Sequence, residues 1–292
     1  MMALMSSSAA SQPYGGWSPQ IAWFGGLLAA CYAPALWGLV RSWDNPDMGH
    51  GYFVPVVAGF IVWQERRELE LLKWDPSWSG LVLVLWGGLQ VLLATLGAEL
   101  FMARTGIVLT VIGAVWTLGG TRVLRRLAFP LALLFFMIPI PAILYTRITF
   151  PLQLLASRMA ENALDLLSIP VLRQGNVLQL PNQTLSVVEA CSGIRSLLSL
   201  TFLSLVYGYF FEKKLWIRVA LFLSTIPIAI VANGGRVALT GIMTQIKPEL
   251  AEGFYHESTG WVIFMIALGI LVLVHRVLGR LPRARKPKAA AA

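Results

Sequence analysis

Three residues of this chain carry side chains suited to acyl transfer from a peptide. Cys191 stands in the segment EACSGIR, Arg236 ends the segment NGGR, and His256 stands in the segment YHESTGW, each beside a long apolar run. A thiolate attacks a carbonyl carbon, a guanidinium binds the oxyanion that forms, and an imidazole moves protons. The three residue types therefore predict a cysteine-based acyl-transfer site, provided that the fold brings them together.

Cys191 is predicted to be the nucleophile. Ser192 and Gly193 mark the start of a helix, and the free amides and dipole of a helix N-terminus stabilise a thiolate. Arg195 lies four residues after Cys191, on the same helix face, and adds positive charge. The alternative is a small buried apolar residue, which is what we expect of Cys31 inside its own apolar run. The helix start favours the nucleophile for Cys191.

Arg236 and His256 are predicted to complete the catalytic set. Arg236 is expected to close a helix and to bind the oxyanion or a substrate carboxylate, the alternative being an interfacial arginine that reaches lipid phosphates. His256 is expected in a loop, where it takes the thiol proton and then protonates the departing amine. Nearby polar residues are expected to bind substrate or to support the site: His50, Glu189, Arg195, Asn233 and Glu257.

No cofactor or metal is expected. The chain has no HExxH or CxxC spacing, no Walker-type glycine loop and no GxSxG segment. Its two cysteines lie far apart and do not suggest a disulfide framework.

Composition places the chain in a membrane. It is 57% hydrophobic and 13% charged, with a mean hydropathy of +0.70, whereas a soluble domain has about 25% charged residues. The net charge of +9 comes from short basic clusters between apolar runs, which is typical of topology signals and not of a nucleic-acid surface. We therefore expect membrane lipid as a partner and no nucleic acid.

We expect an all-α polytopic membrane protein with about eight transmembrane helices, since about 20 apolar residues span a bilayer. The predicted spans are 21–40, 51–63, 80–97, 103–119, 127–144, 193–211, 215–232 and 260–278. The second is short and is expected to extend through Gln64. Residues 1–20 are expected to form a mobile N-terminal tail without the basic residues of a signal peptide. Residues 21–279 then form a single transmembrane domain, and 280–292 a basic cytoplasmic tail.

The basic residues orient these spans. Most Lys and Arg residues fall after the second, fourth, sixth and eighth spans, and the positive-inside rule places that side in the cytoplasm. Both termini are then cytoplasmic, and the loops 41–50, 98–102, 145–192 and 233–259 face outward. Cys191, Arg236, His256 and His50 share that outward side.

The long outward loop 145–192 is predicted to hold two structured pieces. Residues 146–168 form an amphipathic pattern with Gln153, Ser157, Glu161 and Asp165 at every fourth position. We expect this helix to lie in the outer interface, because a further span would place Lys213 and Lys214 outside. Residues 171–173, 176–180 and 184–188 are predicted strands, separated by turn residues, in a small β-hairpin-like element.

At these residues the sequence resembles the exosortase/archaeosortase family of membrane transpeptidases. The resemblance covers most of the chain, from residues 44–55, with the segment HGYFVP, through EACSGIR and NGGR to HESTGW, in that order. It implies Cys191 as nucleophile, completed by Arg236 and His256. It also implies substrates that are secreted proteins with a C-terminal sorting signal: a Pro-Glu-Pro-like (PEP-CTERM) motif, a transmembrane helix and a basic tail.

The resemblance further implies how and where the protein acts. The substrate would be cut through a thioester and transferred to an acceptor whose identity is open, at the outer face of a bacterial inner membrane. Such enzymes often accompany exopolysaccharide production. Some relatives carry a fused domain after the last helix, which this chain lacks, so the need for a separate partner stays open.

Two alternatives have different consequences. A polytopic transporter or polysaccharide-export component would place polar residues at several mid-membrane positions and show inverted repeats. We find no repeat, and the spans carry few charges. A membrane acyltransferase that uses His256 would leave Cys191 without a role.

Overall fold

The computed structural model describes residues 19–187, 193–247 and 253–280. The chain divides into two compact units, residues 1–139 and 140–292. Helices make up most of both units, and the second also contains a small antiparallel sheet.

The first unit follows the predicted apolar segments. Its elements, in chain order, are α1 (Pro19–Ser42), a 3-10 helix (Pro46–Tyr52), α2 (Phe53–Leu71), α3 (Trp78–Leu96), α4 (Leu100–Arg126), α5 (Ala128–Leu133) and a second 3-10 helix (Leu134–Met137). The predicted extension of the second segment beyond residue 63 is confirmed by α2. Its polar end is held by Arg126 of α4, which pairs with Glu65 and Glu68.

Glycines bring α3 and α4 into close contact. A Cβ atom at Gly87 would lie 2.5 Å from Thr110 Oγ1, and one at Gly113 would lie 2.7 Å from the backbone nitrogen of Val84. Small residues at such contacts let helices approach closely where lipid gives no hydrophobic drive for association. Large apolar side chains on α3, such as Leu85 and Trp86, remain exposed, as expected of a surface that faces lipid.

The fifth predicted span, 127–144, is wrong as a single helix. The helical chain ends at Met137, and the next helix begins at Ala142. Pro139 and Pro141 explain the break, because proline lacks an N–H and disfavours helical backbone at the residue before it. Ile138, which precedes Pro139, is accordingly extended.

The second unit combines a helical bundle with the sheet. Its elements are α6 (Ala142–Leu166), β1 (Leu172–Gln174), β2 (Val177–Gln179), β3 (Thr184–Ser186), α7 (Ile194–Phe211), α8 (Leu215–Ile246) and α9 (Gly253–Arg280). The strands form an antiparallel meander in the order β1-β2-β3. The three predicted strands are thus confirmed. Gly175 supplies the positive φ of 66° that the first turn requires.

The predicted amphipathic helix exists as α6, but its polar side faces the protein. A surface helix would expose Gln153 and Ser157 to water, whereas both are buried. Large apolar residues such as Phe150 and Leu166 are exposed instead. The amphipathic pattern therefore predicts the helix but not the buried position of these two residues. They bind the turn between β1 and β2, so tertiary hydrogen bonds replace those to water.

The helix α8 links two apolar clusters of the second unit. One cluster joins α7, α8 and α9 and includes Leu200, Ile228, Ala229 and Leu271. The other joins α6, the meander and the last third of α8, and includes Ala160, Leu178, Val187, Val237 and Ala238. Residues 233–236 lie between the two clusters along α8.

The eight predicted spans are not confirmed as such. Within the residues that the structure describes, five helices are long and apolar enough to cross a membrane, or six if the broken pair Ala128–Met137 and Ala142–Leu166 counts as one span. The five are Trp78–Leu96, Leu100–Arg126, Ile194–Phe211, Leu215–Ile246 and Glu257–Arg280. They support a multi-pass membrane protein.

Candidate active site

The structure fixes the chain on both sides of the predicted nucleophile. Cys191 and Glu189 lie outside the described residues, as does the side chain of His256. Val187, the last described residue before that gap, is fully buried and donates its backbone N–H to the Asn176 carbonyl at 3.0 Å. The first residue after the gap that the structure describes is Gly193. Residues 188–192 thus connect two anchored points.

The upstream anchor is the meander, which α6 holds through hydrogen bonds and an ion pair. Ser157 Oγ donates to the Gly175 carbonyl at 3.0 Å. Asn176 Nδ2 donates to Gln153 Oε1 at 3.1 Å. Arg173 Nε donates to Glu161 Oε2 at 2.5 Å. The every-fourth-residue pattern of α6, which the sequence showed as a polar stripe, therefore positions the sheet that leads into Cys191.

The downstream anchor is Gly193, which caps α7. Its φ is 73° and its ψ is −17°, a left-handed conformation that disfavours a side chain. A Cβ atom there would also lie 2.8 Å from Asn233 Nδ2. Because of this backbone conformation and this short distance, only glycine fits at position 193 without a rearrangement of its surroundings. The predicted helix start at this point is confirmed, and Arg195 lies exposed as the second residue of α7.

The prediction that Arg236 closes a helix is wrong. The helix α8 continues past the predicted end at residue 232 and runs to Ile246, so Arg236 lies about 15 Å before its end at 1.5 Å per residue. Glycine costs a helix interior about 1 kcal/mol, but packing offsets this cost here. A Cβ atom at Gly234 would lie 3.0 Å from the Met159 side chain of α6, and Asn233 is buried against Gly193.

The guanidinium of Arg236 lies against α9. A Cβ atom at Gly260 would lie 3.0 Å from both Cζ and Nη2 of Arg236. Position 256 lies one helical turn before Gly260 on the same face of α9. The expectation of a loop around His256 is wrong, since α9 begins at Gly253 and includes it. Glu257 is exposed in the first turns of this helix.

Two glycine contacts thus join the three sequence segments. Gly193 of EACSGIR meets Asn233 of NGGR, and Arg236 of NGGR meets Gly260 of HESTGW. A narrow crevice at this level runs between α6, α7 and α8, lined by Leu152, Gly193, Leu197, Ala229, Ile230 and Asn233. The middle of α8 thus contacts the start of α7 through Asn233 and contacts α9 at Gly260 through Arg236.

Sequence reasoning missed the contact role of Gly193 and Gly260. Their position inside the chemistry-bearing segments was the available signal, since a glycine beside polar residues often marks close backbone approach. It also missed that Gln153, Ser157 and Glu161 bind the meander, although their regular spacing could be seen in the sequence.

His50 lies in the first unit, where it holds a backbone segment. Its Nε2 lies 3.1 Å from the Phe136 carbonyl, and the neighbouring Trp43 Nε1 donates to the Met137 carbonyl at 2.8 Å. Desolvation by burial lowers the pKa of His50, and the hydrogen bond to Phe136 opposes that shift. Burial thus favours the neutral form of this imidazole. Of its two predicted roles, these contacts favour structural support over substrate binding.

Over residues 19–187, 193–247 and 253–280, no group of three or more His, Cys, Asp or Glu residues has a geometry that could hold a metal ion.

Comparison with known proteins identifies the family. The model of the family described as "Transmembrane exosortase (Exosortase_EpsH)" matches residues 42–273. The match includes the segments HGYFVP, EACSGIR, NGGR and HESTGW, and the chain belongs to the transmembrane exosortase family. No curated protein matches the chain, and no solved structure does.

We predict that Gly193→Ala disrupts the site, whereas Gly235→Ala does not. The first change adds about 1–2 kcal/mol of left-handed backbone strain and a clash with Asn233. Gly235 lies inside α8, in the segment NGGR, with nothing within 4 Å of a Cβ atom, so alanine there should be neutral or stabilising. The measurements are the melting temperature in detergent and the alkylation rate of Cys191 in a Cys31→Ala background.

The double variant Gly193→Ala/Asn233→Ala should recover part of the loss, since it removes the clash and leaves the strain. Equal melting temperatures and alkylation rates for Gly193→Ala and Gly235→Ala would contradict the tight contact at Gly193.

Proposed function

We propose that this exosortase-family protein is a membrane-embedded cysteine transpeptidase that cleaves the C-terminal sorting signal of secreted proteins. The observation that carries the proposal is the position of NGGR, which contacts the segments of both Cys191 and His256 through Gly193 and Gly260. These two contacts support a site in which Cys191 is the nucleophile, Arg236 binds the oxyanion and His256 is the acid–base group.

In the proposed reaction, the thiolate of Cys191 attacks the carbonyl carbon of the scissile peptide bond. The positive end of α7 and the nearby charge of Arg195 favour the thiolate. Arg236 stabilises the oxyanion of the tetrahedral intermediate. When the C–N bond breaks, His256 protonates the amine of the leaving fragment, and the retained fragment remains as a thioester on Cys191.

An incoming nucleophile then resolves the thioester. Water yields a carboxylic acid, an amine yields an amide and a hydroxyl group yields an ester, and His256 removes the proton from each as it attacks. The latter two products correspond to sorting of the protein onto an acceptor.

The proposed substrate has a Pro-Glu-Pro-like motif, a transmembrane helix and a basic tail. Such a helix diffuses in the bilayer, and its motif then emerges at the outer face of the bacterial inner membrane. Two features support this arrangement: apolar helices long enough to span and basic residues concentrated toward or just after the C-terminal ends of α2, α4, α7 and α9. Both termini then lie in the cytoplasm and the site lies outside.

We predict that Cys191→Ala abolishes processing of such a substrate and that Cys31→Ala leaves it unchanged. Cys31 is exposed in the middle of α1, away from a helix N-terminus that could stabilise a thiolate. The measurement is a cleavage gel of a co-expressed substrate with matched protein levels. Normal processing by Cys191→Ala would favour the acyltransferase alternative that depends on His256.

We predict that Arg236→Lys lowers the processing rate by about 10²–10³, the usual effect of losing one oxyanion donor. An ammonium keeps the charge but cannot give two parallel hydrogen bonds to one acceptor. The matched control is Arg158→Lys, at an exposed position of α6. If both variants process substrate at the wild-type rate, Arg236 is only an interfacial anchor.

A further inference from the structure

The strand β3 occupies one edge of the meander. It pairs with β2 through Val177↔Ser186, Leu178↔Leu185 and Gln179↔Thr184. In the part of the chain that the structure describes, no strand pairs with its other side. An edge of this kind can bind a further extended chain through its backbone groups.

The alternation of hydrogen bonds along β3 shows which of its backbone N–H and C=O groups point away from the sheet. Val187 N–H donates to the Asn176 carbonyl and Leu180 N–H donates to the Gln183 carbonyl, both at 3.0 Å. Backbone groups alternate between the two sides of a strand, so residues 183, 185 and 187 face β2. The N–H and C=O of Thr184 and Ser186 therefore point away from the sheet. Thr184 is exposed and Ser186 is half-buried.

The buried side chains of the β3 segment hold its outer edge in place. Leu185 and Val187 are buried in the cluster formed with α6 and the end of α8, and α6 clamps the β1–β2 turn through Ser157. A preformed edge of this kind binds a peptide without first ordering its own backbone, which reduces the entropic cost of binding.

The edge also leads directly to the proposed nucleophile. Ser186 precedes Cys191 by five residues, and Gly193 fixes the chain again two residues after it. A peptide bound along β3 therefore lies at the start of the segment that carries Cys191. The edge has only three residues, which suits a short segment and is too small to hold two folded proteins together.

We propose that the outer edge of β3 binds the substrate's extended segment as a fourth strand of the meander. The inference rests on the proposed function and adds the mode of recognition: backbone hydrogen bonds to Thr184 and Ser186, with the segment that precedes the substrate's membrane helix as the occupant.

This geometry has a consequence for the substrate sequence. Every second residue of the bound segment pairs its N–H and C=O with β3, and the residues between them point theirs away. Proline has no N–H, so it fits only at the non-pairing positions. Two prolines separated by one residue satisfy this pattern, because the residue between them makes the hydrogen bonds. The Pro-Glu-Pro-like motif of the proposed substrate has this spacing.

The direct test is an N-methyl scan of a fluorescent peptide with the core Pro-Glu-Pro-Ser-Ala, followed by an apolar helix and an Arg-Arg tail. Binding is measured on the full-length Cys191→Ala protein in nanodiscs, and cleavage on the wild type. N-methylation at Glu or Ser should weaken binding by about 2–10-fold, the effect of one lost hydrogen bond. N-methylation at Ala should have no effect. Equal effects at Ser and Ala would overturn the proposal.

Variants of the edge provide a second test. Thr184→Pro removes an outward N–H and leaves the β2 hydrogen bonds in place, so it should raise KM for the peptide more than it lowers kcat. Thr184→Ala, the matched control, should behave as wild type. Wild-type binding by a folded Thr184→Pro protein would contradict the edge site, and if that variant fails to fold, the peptide scan decides.

The two proposals fail differently. Cleavage without an alternating N-methyl pattern would overturn strand pairing and leave the transpeptidase proposal standing. An alternating effect of N-methylation on binding, without cleavage by the wild type, would overturn the transpeptidase proposal and leave strand pairing standing. A peptide that neither binds nor is cleaved contradicts both.

Discussion

The contact between Gly193 and Asn233 is the constraint on which the site depends. Gly193 turns the chain through a left-handed conformation just where α7 begins, and Asn233 fills the space that a side chain would need. The start of α7 is thereby pressed against the middle of α8. Gly234 against Met159 and Gly260 against Arg236 repeat the arrangement toward α6 and α9. Three helices, α6, α7 and α9, can pack this closely on α8 because one partner at each contact has no side chain.

The second unit places this contact between two different environments. On one side along α8 lies the apolar bundle of α7, α8 and α9. On the other lie α6 and the meander, where buried Gln153 and Ser157 bind the β1–β2 turn. These hydrogen bonds give the meander a polar framework that the lipid-facing helices lack. The meander provides such a framework immediately before Cys191, and the positive end of α7 follows it.

The sequence predicted elements whose signal is local and missed those decided by packing. Turn residues at Gly175 and at Pro181-Asn182-Gln183 predicted the meander, and Gly193 predicted the start of α7. The sequence did not predict that α8 continues through residues 233–236, because asparagine followed by two glycines is typical of a helix end. The helix continues because Met159 packs on Gly234 and Gly193 packs on Asn233. The break at residues 138–141 was signalled by two prolines, but a continuous apolar run obscured it. For α6, periodicity gave the helix, whereas the direction of its polar side depended on the sheet.

The residue types of the candidate site were readable in the same way. Cys191, Arg236 and His256 were selected by chemistry and by order along the chain. No local pattern could show that Arg236 lies against Gly260, since that contact joins helices whose relative positions depend on the whole bundle. The family match over residues 42–273 supports the selection of the segments. The contacts through Gly193 and Gly260 supply the physical reason why they occur together.

The most direct measurement is cross-linking between Cys191 and a cysteine introduced at position 256, with a short bifunctional thiol reagent in a Cys31→Ala background. The control is a cysteine in place of Phe254, which is exposed two residues earlier in the same helix and lies on the opposite face. We expect rapid intramolecular cross-linking for His256→Cys and little for Phe254→Cys. Equal rates for the two variants, or cross-linking for Phe254→Cys alone, would contradict the convergence of the three segments.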